Sequence, residues 1–235
     1  MNKEKDILLD IGCGPLARAE VQYSLKGFNI VGLDIAGTTL KKAKINTRKY
    51  GKPENVEYLL GDAEFLPFRE NIFKIALCIG TISHLPNKES VKKALKEMKK
   101  VIKPYGIIYI PFWLNLFSFF GIQQALTLKV LDIFHFGRAQ YLMFRGLKEI
   151  NDIFTSCRLK IKQIRYCKLV ELPWILYFSP NFVKKLVNKM IYIINEAHSR
   201  HSFLSTFSVS FEVTCENISP SHDQSITADV YYHFF

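Results

Sequence analysis

Apolar residues in the first half of the chain fall into short unbroken runs, separated by segments with helical spacing. Ile7-Leu8-Leu9-Asp10-Ile11 is the first run. It is apolar apart from one acid near its end, as expected of a strand covered on both faces. The next segment predicts a helix, with Pro15 suited to its first turn and Gly27 to the position just past its end. Ile30-Val31-Gly32-Leu33-Asp34 predicts a second buried strand. Thr38 or Thr39 can cap a helix running to Tyr50, closed by Gly51 and Pro53. Val56 to Leu60 and Ile75 to Ile79 predict strands three and four. Leu85 to Ile102 places Val91, Leu95, Met98 and Ile102 on one face, which predicts an amphipathic helix ended by Pro104 and Gly106. Ile107 to Ile110 predicts a fifth strand.

The second half is less regular. Residues 113–146 are rich in aromatics and read as an insertion. Leu147 to Ser156 predicts a helix and Leu159 to Tyr166 a strand. Ser179 and Pro180 open another helix, with Phe182, Val183, Leu186, Val187, Met190 and Ile194 on its apolar side. Phe207, Val209, Phe211, Val213 and Cys215 alternate with polar residues, the period of an antiparallel strand. Residues 216–235 read as a loose tail. No repeat or long linker divides the chain, so residues 1–235 are expected to form one domain. Strand and helix in alternation predict an α/β fold, a doubly wound sheet with helices on both faces.

Composition narrows the class. The 235 residues are 49% apolar and 23% charged, which excludes disordered, collagen-like, coiled-coil and disulfide-scaffold proteins. A net charge of +11 favours polyanionic partners or an anionic membrane surface. The five cysteines are an odd number without a C-x-x-C pair or a signal peptide, so a reduced, cytoplasmic protein is expected. Ile107 to Phe120 is too short for a membrane span and is broken by Pro111 and Asn115, which leaves only peripheral membrane contact open. Asn217-Ile218-Ser219 fits a glycosylation pattern that has no meaning without secretion. His198-x-x-His201 has no acid or cysteine partner, so no metal site is expected.

The chemistry concentrates at the strand ends. Asp10-Ile11-Gly12-Cys13-Gly14 sits at a strand-to-helix junction, where glycines allow close backbone approach and a helix N-terminus offers N–H groups. Asp34 ends the next strand, at the spacing where an acid accepts hydrogen bonds from a ribose diol. Asp62 and the segment after Ile79 fall at the same edge, where parallel strands open a ligand crevice. Simpler roles stand beside these. Asp10 could cap the following helix, Asp62 after Gly61 could be turn chemistry, and His84 could cap or pack at the start of its helix.

The run ILLDIGCGP…VGLDI…LLGDAEFLPF…ISHL…VIKPYG resembles the class I S-adenosylmethionine-dependent methyltransferases, in particular the type-11 group, over residues 5 to about 112. The resemblance implies a Rossmann-like seven-stranded sheet in order 3-2-1-4-5-7-6 with the seventh strand antiparallel, and S-adenosylmethionine as cofactor. It divides the domain into a cofactor-binding half (1–112), the substrate insertion (113–146), the C-terminal part of the sheet (147–215) and the tail. Gly12, Cys13 and Gly14 would line the methionine part of the cofactor through backbone atoms, and Asp10 would help hold its amino group. Asp34 would bind the ribose hydroxyls, with Ile35 on the adenine. Asp62 and the Ala63 N–H would meet the adenine edge, and Cys78 and Ile79 would close the cleft. Thr81, Ser83 and His84 would face the methyl group, His84 being the candidate general base.

Three departures from the family stand out. Leu16 replaces a common third glycine. The chain begins close to the first strand, where relatives carry an additional helical segment; an open site, compensation by residues 113–146 or a truncated frame would account for this. Lys103-Pro104-Tyr105-Gly106 replaces the commoner Lys-Pro-Gly-Gly turn.

For the acceptor, Trp113, Phe117 and their aromatic neighbours suit a small apolar or lipid-like molecule, and equally suit core packing. Lys88, Lys92, Lys96, Lys99 and Lys103 form a stripe that could contact RNA phosphates or simply face solvent. Leu66-Pro67-Phe68-Arg69-Glu70 with His84 and Trp113 is mildly similar to the tRNA wobble-uridine methyltransferases, although Ser83 stands where those carry a second histidine. The basic helix from Ser179 could lie on a membrane. The expected activity is methyl transfer to a small apolar or lipid-like acceptor. The alternatives are a tRNA methyltransferase and a non-catalytic binding protein. Oligomeric state is not readable.

Overall fold

A computed structural model describes residues 6–114, 146–167 and 210–217, with the single positions 122, 144, 185, 189, 190 and 192. The described strands are β1 (Ile7–Ile11), β2 (Asn29–Asp34), β3 (Val56–Leu60), β4 (Phe73–Leu77), β5 (Ile102–Leu114), β6 (Lys160–Cys167) and β7 (Ser210–Glu216). They form one seven-stranded sheet in the order β3-β2-β1-β4-β5-β7-β6. Strands β3 to β5 in that order pair in parallel, and β7 runs antiparallel to both β5 and β6. Order and direction are those implied by the family resemblance.

Helices α1 (Arg18–Leu25), α2 (Gly37–Tyr50), α3 (Lys88–Val101) and α4 (Leu147–Ser156) cover the sheet. Alternation along the strands decides which face each residue serves. Leu9 and Ile11 of β1 join Leu33, Ala76, Ile108 and Ile110 in a core that α3 closes with Val91, Leu95 and Met98, and α4 with Ile150, Ile153 and Phe154. Leu8, Ile30, Ile75 and Leu77 face the other way, against Ala19 and Tyr23 of α1. Each aliphatic side chain buried this way contributes about 1.5–3 kcal/mol, so Leu95→Asp would break the α3 face.

Several boundaries differ from those expected. The first helix begins at Arg18, because Ala17 adopts a left-handed conformation (φ 50°) and leaves Pro15 in the preceding turn. The second starts at Gly37 after Ala36, and neither Thr38 nor Thr39 caps it. The third starts at Lys88, not Leu85: Pro86 disfavours helix at Leu85, and Asn87 is the cap, its side chain accepting from Ser90 N at 2.9 Å. The fourth strand is Phe73–Leu77. Pro104 and Gly106 lie inside β5 rather than ending a helix before it. The pairing of β4 with β5 shifts register between Phe73 and Ile75. A Cβ on Gly106 would lie 2.7 Å from Lys74 O and 2.9 Å from Lys103 O, so the irregularity needs glycine. Tyr105 holds the left-handed conformation (φ 60°) where the family's turn has glycine, and its N–H donates to Asn217 O at 2.8 Å.

Asn217 itself is buried, and its amide donates to Ile102 O (2.8 Å), Lys99 O (3.1 Å) and Lys103 O (3.5 Å). These bonds fill carbonyls that the end of α3 leaves open. The asparagine of the glycosylation pattern is thus a structural clasp. No helix among the described residues is long and apolar enough to cross a membrane, and no group of three metal-ligating side chains occurs among them. The helix expected from Ser179 and the tail lie mostly or wholly outside the described residues.

Candidate functional site

A cleft of about 640 Å³ opens at the carboxyl ends of β1, β2, β3 and β4. Gly12, Gly14, Leu33, Asp34, Ile35 and Gly61 to Glu64 form one part of its lining. Ile79, Gly80, Thr81, His84, Leu85 and Pro86 form the other.

The loop after β1 is folded tightly onto β2. Gly12 N and Cys13 N both donate to Leu33 O, at 2.7 and 3.0 Å. Gly12 and Gly14 have φ of 75° and 66°, a region in which side chains with a Cβ are strained. A Cβ on Gly12 would lie 2.0 Å from Thr81 Oγ1, whereas one on Gly14 would meet nothing within 4 Å. Thr81 Oγ1 donates to Ile11 O at 2.8 Å, which fastens the segment after β4 to the first loop. From the other side, Asn46 Nδ2 donates to Pro15 O at 2.9 Å.

Asp34 is the hub of the cleft. Its Oδ2 accepts from Gly14 N at 3.1 Å and its Oδ1 from Ala36 N at 3.0 Å. An ionised carboxylate has about four acceptor positions, so two remain for a ligand's hydroxyls. Asp62 combines both roles considered for it. Its Oδ1 accepts from Glu64 N at 2.9 Å within a turn, and the residue also lines the cleft. Among the described residues, three carboxylates and no lysine or arginine line this space. That inventory fits a ligand with hydroxyl and amino donors and positive charge, and opposes a pyrophosphate.

Of the residues singled out in the sequence, Gly12, Gly14, Asp34, Ile35, Asp62, Ala63, Ile79, Thr81 and His84 converge on the cleft. Asp10, Cys13, Cys78 and Ser83 do not line it and are buried. The Cys13 N–H is committed to Leu33, Cys78 N donates to Tyr109 O at 3.0 Å, and Ser83 Oγ donates to Gly80 O at 2.9 Å. Burial pushes the Cys78 thiol up to about 12 and also raises Cys13, so neither is a reactive thiolate. His84 is exposed at the cleft edge, at the end of the single turn Ile82–His84, with its N–H bonded to Thr81 O at 3.0 Å. It does not cap α3. Trp113 belongs to β5 opposite Phe211, and Phe117 lies outside the described residues.

Sequence reasoning missed Gly80, Glu64 and Glu20. Gly80 has φ 77° and lines the cleft, a role its place between Ile79 and Thr81 hinted at. Glu20 sits on the apolar side of α1, fully buried.

The lysine stripe along α3 and the start of β5 is mostly engaged within the protein. Lys88 pairs with Glu149, Lys92 with Glu89 (2.7 Å) and Lys103 with Asp6 (3.4 Å), and Lys99 Nζ donates to Arg158 O (2.8 Å).

Residues 9–110 match the family model of the methyltransferase domain. This segment is a methyltransferase domain. The chain is 29% identical over 158 residues to a probable methyltransferase of Aspergillus luteorubrus, an alignment covering 64% of this chain and 53% of that protein. It is 32% identical over 108 residues to the sterol 24-C-methyltransferase of Saccharomyces cerevisiae, covering 46% of this chain and 27% of the relative. The chain thus spans about half the length of the first relative and about a quarter of the second. The chain also shares its fold with a SAM-dependent methyltransferase of Methanosarcina mazei, at a TM-score of 0.64 and 18% identity, over 92% of this chain and 94% of that one. The cleft lies within the segment matched to the family.

Proposed function

We propose that the protein is an S-adenosylmethionine-dependent methyltransferase acting on a small apolar or lipid-like acceptor. The observation that carries the cofactor reading is Asp34, held by Gly14 N and Ala36 N with acceptor positions to spare for a ribose diol. Ile35 (71% exposed) and Ile79 (41%) offer apolar walls for an adenine ring, and Asp62 an acceptor for its amino group. The acid-lined cleft suits a cofactor whose net charge is positive.

When bound, the cofactor supplies an activated methyl group on a sulfonium centre. The chain aligns the reactants, which is worth several kcal/mol of barrier. Thr81 holds the acceptor-side segment against the cofactor loop. His84, at the cleft edge, is placed to accept a proton from an acceptor hydroxyl.

Two observations favour a lipid-like acceptor over RNA. Leu16, Ile35, Phe65 and Ile79 expose 55%, 71%, 67% and 41% of their surface on and beside the cleft-lining segments, an apolar rim. The lysines of α3 and of the start of β5 that would meet phosphates are mostly engaged with acids or a carbonyl. The similarity to a sterol methyltransferase agrees with this reading.

Titration calorimetry with S-adenosylmethionine and S-adenosylhomocysteine tests the cofactor. Asp34→Ala should weaken binding at least about tenfold, or 1.4 kcal/mol. Folded wild-type protein that binds neither compound would refute the assignment. Radiolabelled methyl groups should then pass into organic-extractable products of a lipid pool. Label appearing in RNA instead would overturn the acceptor class.

A further inference from the structure

Beneath the glycine loop lies a pair of acids that the cleft chemistry does not use. Alternation along β1 and β2 puts Leu8 and Asp10, and likewise Ile30 and Gly32, on the face covered by α1. Glu20 comes down from the first turn of α1 onto this patch. Asp10 is 3% exposed and Glu20 0%. Glu20 Oε1 lies 2.4 Å from where a Cβ on Gly32 would be, and the Tyr58 ring bounds the same spot at 2.9 Å. Glycine weakens a strand interior, and here its bare Cα makes room for a carboxyl group.

Asp10 Oδ1 and both Glu20 oxygens have no hydrogen-bond partner among the described residues. Ionised carboxylates only accept, so two that face each other are satisfied by a proton between them. The titratable groups around the pair are Asp34 of β2, Cys13 of the loop, Tyr23 of α1, Tyr58 of β3 and Cys78 after β4. None of these is a cation. Burial, and then repulsion from neighbouring acids, holds both carboxyls well above the ordinary carboxylate range.

We propose that Glu20 is a positioning residue for the cofactor loop: it shares one proton with Asp10 directly below Gly12–Gly14, and the arrival of a cationic cofactor draws that proton off. The inference rests on the cofactor reading above. The bond broken is the carboxyl O–H, and the proton leaves to solvent or buffer. A positive charge in the cleft favours the ionised pair, so the cofactor and the proton compete. Pairing of Asp10 with Glu20 also ties α1 to β1 across the loop that joins them.

Calorimetry in two buffers of different ionisation heat counts the protons exchanged on binding S-adenosylmethionine, for wild type and Glu20→Gln. The ligand's own ammonium titrates alike in both proteins, so the difference isolates the pair. Glutamine keeps the size and gives Asp10 a permanent donor. Wild type should release roughly half a proton more than the variant near neutral pH. Its affinity should rise more steeply with pH than that of Glu20→Gln. Binding with equal proton counts overturns this proposal and leaves the cofactor reading standing. No binding at all by either protein overturns the cofactor reading. Carbon-13 NMR of the carboxyl groups in cofactor-free protein judges the pair separately. Two titrations above the ordinary range, one lost in Glu20→Gln, support the shared proton, and two ordinary titrations overturn it. If Glu20→Gln fails to fold, Asp10→Asn removes the same proton and is read by the same counts.

Discussion

Adding one methyl group at Gly12 should damage the protein far more than adding one at Gly14, although both glycines have positive φ. An L-residue in the left-handed region costs about 1–2 kcal/mol, and that is the whole expected cost of Gly14→Ala, whose new Cβ meets nothing within 4 Å. At Gly12 the new Cβ would lie 2.0 Å from Thr81 Oγ1 and 2.9 Å from its Cγ2. Thr81 must then move. It loses its bond to Ile11 O, worth about 1 kcal/mol, and strains the packing by about 1–3 kcal/mol more. Gly12→Ala should therefore cost roughly 3–6 kcal/mol. Urea unfolding followed by circular dichroism measures each change. Thr81→Ala deletes the two clashing atoms, so adding Gly12→Ala to that variant should cost only the backbone share, about 1–2 kcal/mol. The reasoning fails if Gly12→Ala is no worse than Gly14→Ala. It fails equally if the cost at Gly12 is the same with and without the threonine.

Asn217→Ala should destabilise by about 2–3 kcal/mol in the same assay, because it removes the donor to three carbonyls at the end of α3; a change under about half a kcal/mol would refute the clasp. The Asp10–Glu20 pair makes stability fall as pH rises. Both native carboxyls are raised above their unfolded values, so their contribution is complete below about pH 4 and is lost as pH climbs through the raised values. The melting temperature should accordingly drop between about pH 6 and pH 9, with a shallower drop in Glu20→Gln, and parallel curves would contradict this. Cys13, Cys78 and Cys215 are buried with thiols raised by burial, so iodoacetamide at about pH 8 should label them only after unfolding, as read by peptide mass mapping.

The strand-loop-helix logic of the first 112 residues was readable because it is local. A buried strand, two glycines and an acid at the next strand end define the cleft edge without distant partners, and Gly12, Gly14, Asp34 and Asp62 all line the cleft. Helix starts were less readable, since capping depends on which single side chain turns back. Leu85 continues the apolar periodicity of α3, yet Pro86 and Asn87 decide where the helix begins. Pro104 and Gly106 look like terminators, and only pairing with β4 and the carbonyl-filling Asn217, over a hundred positions away, makes strand of them. The burial of Asp10 was hidden for a similar reason. Its strand position fits a ligand contact equally well, and what turns it inward is Glu20 on α1 above Gly32. An acid beside Ala19 and Tyr23 on a helix face, opposite a glycine in a strand, is the signal that would have exposed it.

The strand order has a consequence for how the molecule is made. Among the described strands β7 comes last in sequence but lies between β5 and β6. Without β7, β5 and β6 have no strand between them, and the edges they turn toward it are open. Unpaired edges of this kind invite pairing with other chains. Closing the slot requires contacts over long sequence separations, which form slowly. β7 therefore completes the sheet from within. Pairing of β7, rather than folding of residues 9–110, is the step that covers the inner edges of β5 and β6.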